Sequence, residues 1–249
     1  MENSKKYNFE HFTLDHYNEI LFAAKSNYIF CNYENFYGRE NFILWRHDVD
    51  FSMDYCLIIA EIDNSFNIQS TFFFHLHNEF YNLLELQSKK IIHKILDLGH
   101  KIGIHFDTHY YNIKSEKEIN AYLLFEKKIF KKLFGIEPKV FSFHNTNDFT
   151  MSCTKRKYGG LINTYQKYLQ KNVKYCSDSN GYWRFDILYD LIISKKYEKL
   201  QILTHPDWWQ EKIRSPKERI HHIIKLKSES LTNFYNNTLK EYGRENIDW

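Results

Sequence analysis

Six short apolar runs punctuate this chain, at 44–48, 72–75, 102–105, 140–144, 175–178 and 202–205, and each closes on a histidine or an aspartate: Asp48, His75, His105, His144, Asp178 and His205. Runs of four or five residues bounded by polar segments read as buried strands. Between them the spacing turns helical. Residues 52–66 are of helix length, and 88–98 are stopped by Gly99 in the position of a helix C-cap. Ser115 and Glu118 form a capping box, after which Ile119, Tyr122, Leu123, Ile129, Phe130 and Leu133 carry an apolar stripe as far as Gly135. Strand followed by helix, several times over, predicts parallel strands joined by crossovers. In an α/β barrel the carboxyl ends of such strands carry the chemistry. The six closing residues therefore draw a ring of metal-binding and proton-transfer groups.

Both ends of the chain sit outside this alternation. Residues 1 to about 39 and about 211 to 249 read as helices and loops packed against the barrel. The second begins near Ser215-Pro216-Lys217-Glu218, where Ser can cap and Pro can take the first helical position. His221 and His222 are adjacent on that helix and face different sides, which suits a surface role. With three prolines and eight glycines there is no linker-like stretch, so one domain over 1–249 is expected, its core at about 40–210.

Composition narrows the class. The chain is 43% hydrophobic, enough for a sizeable core, and the net charge of +3 is spread out. Lys127, Lys128, Lys131 and Lys132 alternate with apolar residues at helical spacing, the mark of a solvated helix face; no nucleic-acid footprint is expected. The 21 Phe and 19 Tyr reflect either a bias of the whole sequence or an aromatic-lined carbohydrate or base-stacking cleft. Cys31, Cys56, Cys153 and Cys176 form no CxxC pair and read as reduced core residues. The amino terminus lacks the apolar stretch of a signal peptide and no segment has the length of a membrane span, so a soluble cytoplasmic protein is expected.

Three clusters carry candidate chemistry. His105 and His109 are four residues apart directly after a strand; if the chain turns helical there, two imidazoles on one face can bind one metal ion. Asp48 and Asp50 project to the same face of an extended strand, where one carboxylate can ligate the metal and the other accept a proton. Thr204-His205-Pro206-Asp207-Trp208-Trp209 ends another strand on an imidazole followed by paired indoles, which serve equally as core or as the wall of a sugar pocket.

In order, Trp45-Arg46-His47-Asp48-Val49-Asp50, then Gly99-His100-Lys101-Ile102-Gly103-Ile104 leading to His105-Phe106-Asp107-Thr108-His109, then Leu203-Thr204-His205 resemble the TFDDG, GHEIG-plus-HxxxH and LxH segments of the polysaccharide deacetylase family (carbohydrate esterase family four, NodB-like). Ser70-Thr71-Phe72-Phe73-Phe74 is similar to the family's ATFF strand, and the match runs from about residue 43 to 209. The forms RHDVD and HPDWW most resemble a branch associated with surface polysaccharide biosynthesis.

The resemblance implies an irregular (β/α) barrel of the polysaccharide deacetylase type and a metal-dependent hydrolase that removes an N-acyl group, typically acetyl, from a sugar. Carried over by position, it makes Asp50, His105 and His109 the ligands of one divalent ion, zinc or another late first-row metal, with Asp48 the base and His205 the acid. Val49 separates aspartates that the family keeps adjacent, so the roles of Asp48 and Asp50 can be exchanged. Where the family carries an arginine in RxPxG, this chain reads Phe141-Ser142-Phe143-His144-Asn145, leaving His144, Arg46 or Arg184 to steady the base. His144, Asp178, Trp183, Arg184 and Trp208 are the expected substrate-binding residues. Without an export signal, a nucleotide-linked or lipid-linked sugar is the expected substrate. The rival readings are a catalytically weak carbohydrate-binding protein on the same fold and a metal hydrolase of a non-sugar amide.

Overall fold

The computed structural model describes residues 2–247. Nine strands form one sheet: β1 (Ile29–Cys31), β2 (Phe42–Val49), β3 (Thr71–Phe74), β4 (Lys101–Phe106), β5 (Val140–Phe143), β6 (Lys157–Tyr158), β7 (Leu161–Asn163), β8 (Lys174–Ser177) and β9 (Lys199–Thr204). Their order is β6-β7-β5-β4-β3-β2-β9-β8, with β1 also paired to β2, and every pairing is parallel except the β6–β7 hairpin. All six expected strands are present, and the chain crosses over between them through helices.

The sheet curls without closing, since its end strands β6 and β8 are not paired. Its curl is visible in three side chains. Tyr165, just after β7, and Tyr175, on β8, come from opposite ends of the sheet, yet both flank the guanidinium of Arg46 on central β2, at 5.0 and 6.0 Å. Alternation along β2 divides the molecule. Ile43, Trp45 and Val49 face the helices and join the outer core, whereas Phe42 and Leu44 pack inside the curl with Phe73, Val140 and Ile162. Gly103 on β4 makes that interior possible. A Cβ there would lie 2.4 Å from the Phe73 ring, so the phenyl group occupies the space a side chain would need. Above this apolar plug, toward the carboxyl ends of the strands, the inward positions become Arg46, Asp48 and Asp50.

The helices are α1 (Glu2–Lys6), α2 (Leu14–Asn27), α3 (Met53–Ser65), α4 (Leu86–Asp97), α5 (Glu116–Phe134), α6 (Asp148–Ser152), α7 (Lys167–Asn172), α8 (Leu188–Ser194) and α9 (Pro216–Glu241). Local chemistry explains several boundaries. Ser52 accepts from Tyr55 N to start α3, Ser115 from Glu118 N to start α5, and Gly135, in the left-handed region at φ 71°, ends α5. Ser215 and Glu218 make a full capping box ahead of α9, with Pro216 first in the helix. Two elements depart from expectation. The amino-terminal segment contributes β1 as well as helices and loops, and residues 157–163 form a hairpin around Gly159 and Gly160. The four cysteines are buried and unpaired. Among the described residues no helix is long and apolar enough to cross a membrane.

Candidate active site

Parallel register brings the strand ends to one rim. Asp50 follows β2, His75 follows β3, His105 lies on β4, His144 follows β5, Asp178 follows β8 and His205 follows β9. Tyr81 ties two of these ends together: its hydroxyl accepts from His75 N at 3.0 Å and donates to the Val49 carbonyl at 2.8 Å. The turn after β2 is fixed from both sides, as Asn78 Nδ2 donates to Asp50 O at 3.0 Å and Phe51 N donates to the buried Asp207 carboxyl at 3.2 Å.

Asp50, His75, His105 and His144 each offer a donor atom, all within 4.8 Å of one another. Asp50 Oδ1 is 3.2 Å from His75 Nε2, 3.3 Å from His105 Nε2 and 3.8 Å from His144 Nδ1, and the last two nitrogens are 3.3 Å apart. Donors placed tetrahedrally around a zinc-sized ion are about 3.3 Å from one another, given metal–ligand bonds of about 2.0–2.1 Å. Three of these separations, at 3.2, 3.3 and 3.3 Å, match that spacing, and the Asp50–His144 distance of 3.8 Å is longer. Nδ1 of His105 lies 2.7 Å from Ser142 Oγ, which donates to Asp48 Oδ1 at 3.4 Å; a proton on Nδ1 would complete that chain and turn the Nε2 lone pair inward, the tautomer a ligand needs.

Charge follows the same pattern. Burial alone would raise the Asp50 carboxyl, but the imidazoles of His105, His75 and His205 outweigh it and hold Asp50 well below the usual carboxylate range. Burial, with His105 beside it, lowers His75; burial with both neighbouring imidazoles takes His144 down to about 3. Neutral imidazoles beside an ionised carboxylate are the donor states that bind a cation.

Two proton-transfer candidates flank the cluster. Asp48 is buried, and Arg46 Nη2 reaches its Oδ2 at 3.5 Å. That guanidinium is itself fixed, donating to Thr164 Oγ1 at 2.5 Å and to the Tyr165 hydroxyl at 2.9 Å. Of His144, Arg46 and Arg184, the three residues expected to steady the base, Arg46 is the one that lies beside the Asp48 carboxylate. On the other side His205 Nε2 is 3.7 Å from Asp50 Oδ2, while its Nδ1 is 2.6 Å from Asp178 Oδ1. Burial disfavours a charged His205, but Asp178, Asp50 and Asp48 together raise it to about 10. Asp178 Oδ2 additionally accepts from His205 N at 2.9 Å and Trp209 Nε1 at 3.1 Å.

Several expected residues fall elsewhere. His109 is not brought to the cluster: β4 runs into a turn where a helix was expected, and Asp107 accepts from His109 N at 2.7 Å while lying 3.2 Å from its ring, which stays exposed. His144, expected on the substrate or beside the base, lies instead in the group with Asp50, His75 and His105. Asp178 is fully buried and serves His205, out of reach of a substrate. Trp183 stacks on Phe12 at 5.0 Å and lies 6.2 Å from Trp209, claimed by the amino-terminal segment. Trp208 does reach the cleft wall, and Arg184 stands exposed on its rim beside Tyr182. His75 was visible as a strand end but carried no assigned role; its place in the group follows from β3 lying between β2 and β4, which a lone histidine at a run's end does not reveal.

The cluster sits at the junction of two lobes of one cleft, both touching Asp50, His144 and His205. One lobe, about 530 Å³, contains Asp48, Tyr165, Tyr175 and Arg184; the other, about 650 Å³, contains His77, Phe80, Tyr110 and Trp208.

No protein-family model matches the chain, and no curated protein matches it in sequence. Among solved structures it is similar to a family 4 carbohydrate esterase from Bacillus anthracis, with 17% identity, TM-score 0.45 and 86% of each chain covered. It is also similar to the chitin deacetylase of the fungal pathogen Colletotrichum lindemuthianum, with 15% identity, TM-score 0.42 and 76% of this chain and 84% of that one covered. A third match is a CE4 family pseudoenzyme from Bacillus anthracis, with 15% identity and TM-score 0.41, covering 77% of this chain but only 62% of the other. The likeness is one of fold. At such identities the chemistry has to come from the residues in place.

Proposed function

We propose that this protein is a metal-dependent hydrolase that removes an N-acyl group, acetyl in the first instance, from a sugar. The observation that carries the reading is the convergence of Asp50, His75, His105 and His144 donor atoms on one point, flanked on one side by Asp48 held by Arg46 and on the other by His205 held by Asp178. Asp50 and His105 keep the ligand roles implied by the resemblance, and His75 and His144 stand where His109 was expected. When bound there, a divalent ion supplies Lewis acidity and a lowered pKa for water.

The remaining steps belong to the chain. Asp48, paired with the Arg46 guanidinium, takes the proton of the attacking water. His205, charged and with Nε2 toward the cluster, gives a proton to the departing amine nitrogen, without which the tetrahedral adduct returns to amide. Asp178 keeps the His205 ring aimed and restores its preference for the proton. The strand-end order and the side chains together favour Asp48 as base, because Asp50 is the carboxylate among the imidazoles.

Arg184, exposed at the mouth of the lobe that holds Asp48, suits an anionic handle through paired hydrogen bonds, which supports a nucleotide-linked or lipid-linked precursor in surface-glycan synthesis. One observation favours the second reading, a carbohydrate-binding protein without turnover. Four protein donors close a tetrahedral site, whereas catalytic zinc keeps a position open. Hydrolysis then requires a higher coordination number or release of His144, the most exposed of the three histidines.

The test is release of free amine from N-acetylated sugars by metal-loaded protein, set against the same protein after chelation. Chelator-sensitive release supports the hydrolase. Sugar binding without release, by protein carrying a full complement of metal, supports the binding protein.

A further inference from the structure

Helix α9 changes character along its length. Over its first two turns it belongs to the body: Arg219 is fully buried and donates to the carbonyls of Phe9 and Gly181, Ile223 is buried, and Ile220 packs on the core. Lys227 Nζ then reaches Glu85 Oε2, at the start of α4, at 3.4 Å. Beyond that contact every residue from 228 to 237 is exposed, and none of them lines the cleft.

The apolar stripe does not stop where the body does. Ile220, Ile223 and Lys227 are followed, at the same spacing of three and four, by Leu231, Phe234, Tyr235, Thr238 and Tyr242, so one face of the helix runs on into solvent. Leu231 is 54%, Phe234 71%, Tyr235 55% and Tyr242 66% exposed. Single exposed apolar side chains are ordinary, whereas a contiguous row marks a contact surface. The segment is also a poor helix on its own. Residues 232–238 read TNFYNNT, all weak helix formers, and a helix gains most of its stability by packing an apolar face. A covering partner accounts for both the stripe and the helix.

Charge and area select that partner. From 227 onward the charged groups beside the stripe are Lys227 and Glu241, at opposite ends of the free half and on the same side of it, while Glu229 and Lys240 share the opposite face with asparagines. Two copies laid antiparallel set each lysine against the other's glutamate; parallel copies set like charges together. A lipid surface asks instead for a polar face rich in lysine and arginine, which Glu229 and the asparagines do not supply. Three aromatic rings of roughly 200 Å² each, about two-thirds exposed, offer about 400 Å². Leu231, with Leu84 and Leu86 (both 68% exposed) beside Glu85 where the other copy's Tyr242 arrives, carries the total to about 700 Å², close to the roughly 800 Å² per partner of a stable complex.

We propose that the free half of α9 is a homodimer interface, on which a second copy of this chain lays its own α9 antiparallel, with the twofold axis passing near Phe234. The same patch meets itself, so the assembly closes at two copies. The interface is independent of the reaction proposed above.

The experiment is sedimentation equilibrium of the full chain over a dilution series, on wild type, Phe234→Glu, Phe234→Ala, Glu241→Lys and the double variant Lys227→Glu with Glu241→Lys. Wild type should dimerise with a Kd on the order of 1–10 µM, the weak end for an interface of this area. Phe234→Glu should raise Kd about thirtyfold or more, the scale of an aromatic anchor lost at the centre of an interface. Phe234→Ala, which carries the test if the glutamate variant does not fold, should raise it about tenfold. Glu241→Lys should raise it about fivefold, because symmetry reverses two exposed ion pairs at once, and the double variant should recover most of that loss. Wild type that stays monomeric at about 100 µM, or Phe234 variants that dimerise as wild type does, overturns the interface. A monomer that binds phosphatidylglycerol vesicles also overturns it and assigns the stripe to a lipid surface. Glu241→Lys without effect on Kd overturns the antiparallel arrangement.

Discussion

His105 and His144 turn imidazole nitrogens toward each other across 3.3 Å from adjacent strands β4 and β5, with Asp50 Oδ1 beside both. As the rings stand, one N–H···N hydrogen bond accounts for the approach, with the proton on one of the facing nitrogens; a shared cation would replace that proton and take both lone pairs. His75→Ala, His105→Ala and Asp50→Asn should each lower metal content by an order of magnitude or more, and His144→Ala by less, since it is the most exposed donor. His109→Ala should leave metal content unchanged. Elemental analysis of the purified variants checks this, and loss of metal in His109→Ala would restore the ligand set implied by the sequence resemblance.

Arg46 and Asp48 form a buried pair, so removing one partner leaves an unpaired charge in the core. Arg46→Met should destabilise the protein by about 3–5 kcal/mol in urea unfolding. Asp48→Asn, which leaves Arg46 its hydrogen bonds to Thr164 and Tyr165, should be better tolerated, keep its metal, and lose about 10²-fold or more in turnover, the scale of a lost general base. If Asp48→Asn empties the site while Asp50→Asn does not, the two aspartates exchange roles.

The Asp178–His205 pair sets a pH window. His205 has its folded value raised to about 10 from an ordinary 6.5, so it binds a proton more tightly in the folded chain. Its contribution to stability is complete below about 6.5 and is lost as pH rises through about 10. In metal-stripped protein the denaturation midpoint should fall across that interval, and Asp178→Asn should flatten the fall. A bound cation nearby narrows the window, because its charge opposes the imidazolium.

Glu126 gives the opposite case. Burial, opposed in part by the Tyr111 hydroxyl, raises its carboxyl to about 8. Between about 4.5 and 8 the unfolded chain releases this proton while the folded chain keeps it, so stability falls as pH rises, by about 1.4 kcal/mol per pH unit within that window. Glu126→Gln should remove this slope and melt higher than wild type at pH 8. Equal melting temperatures across the range would place an ionised Glu126 in the folded protein.

Strand positions were legible because apolar runs of fixed length, closed by polar residues, report burial on both faces. Helix starts at Ser52, Ser115 and Ser215 were legible from capping chemistry. What failed to show was whatever depends on the partner strand. Asp50 and His105 stood out within single segments, one in a pair of aspartates and one in a pair of histidines, but His75 and His144 come beside them only through β3 and β5 flanking β4. His109 misled for a local reason, since the Asp107 carboxylate captures its backbone amide and turns the chain before a helix can form. Strand β1 and the 157–163 hairpin are too short to carry a hydrophobic period of their own.

The most direct test of the central claim is a titration of zinc or cobalt into stripped protein, with metal occupancy and amine release from an N-acetylated sugar read on the same samples. Release should rise in step with occupancy and level off at one ion per chain, while Asp48→Asn fills to the same stoichiometry with about 10²-fold less release. Full occupancy without release, or release that ignores occupancy, would contradict a metal-dependent hydrolase at Asp50, His75, His105 and His144.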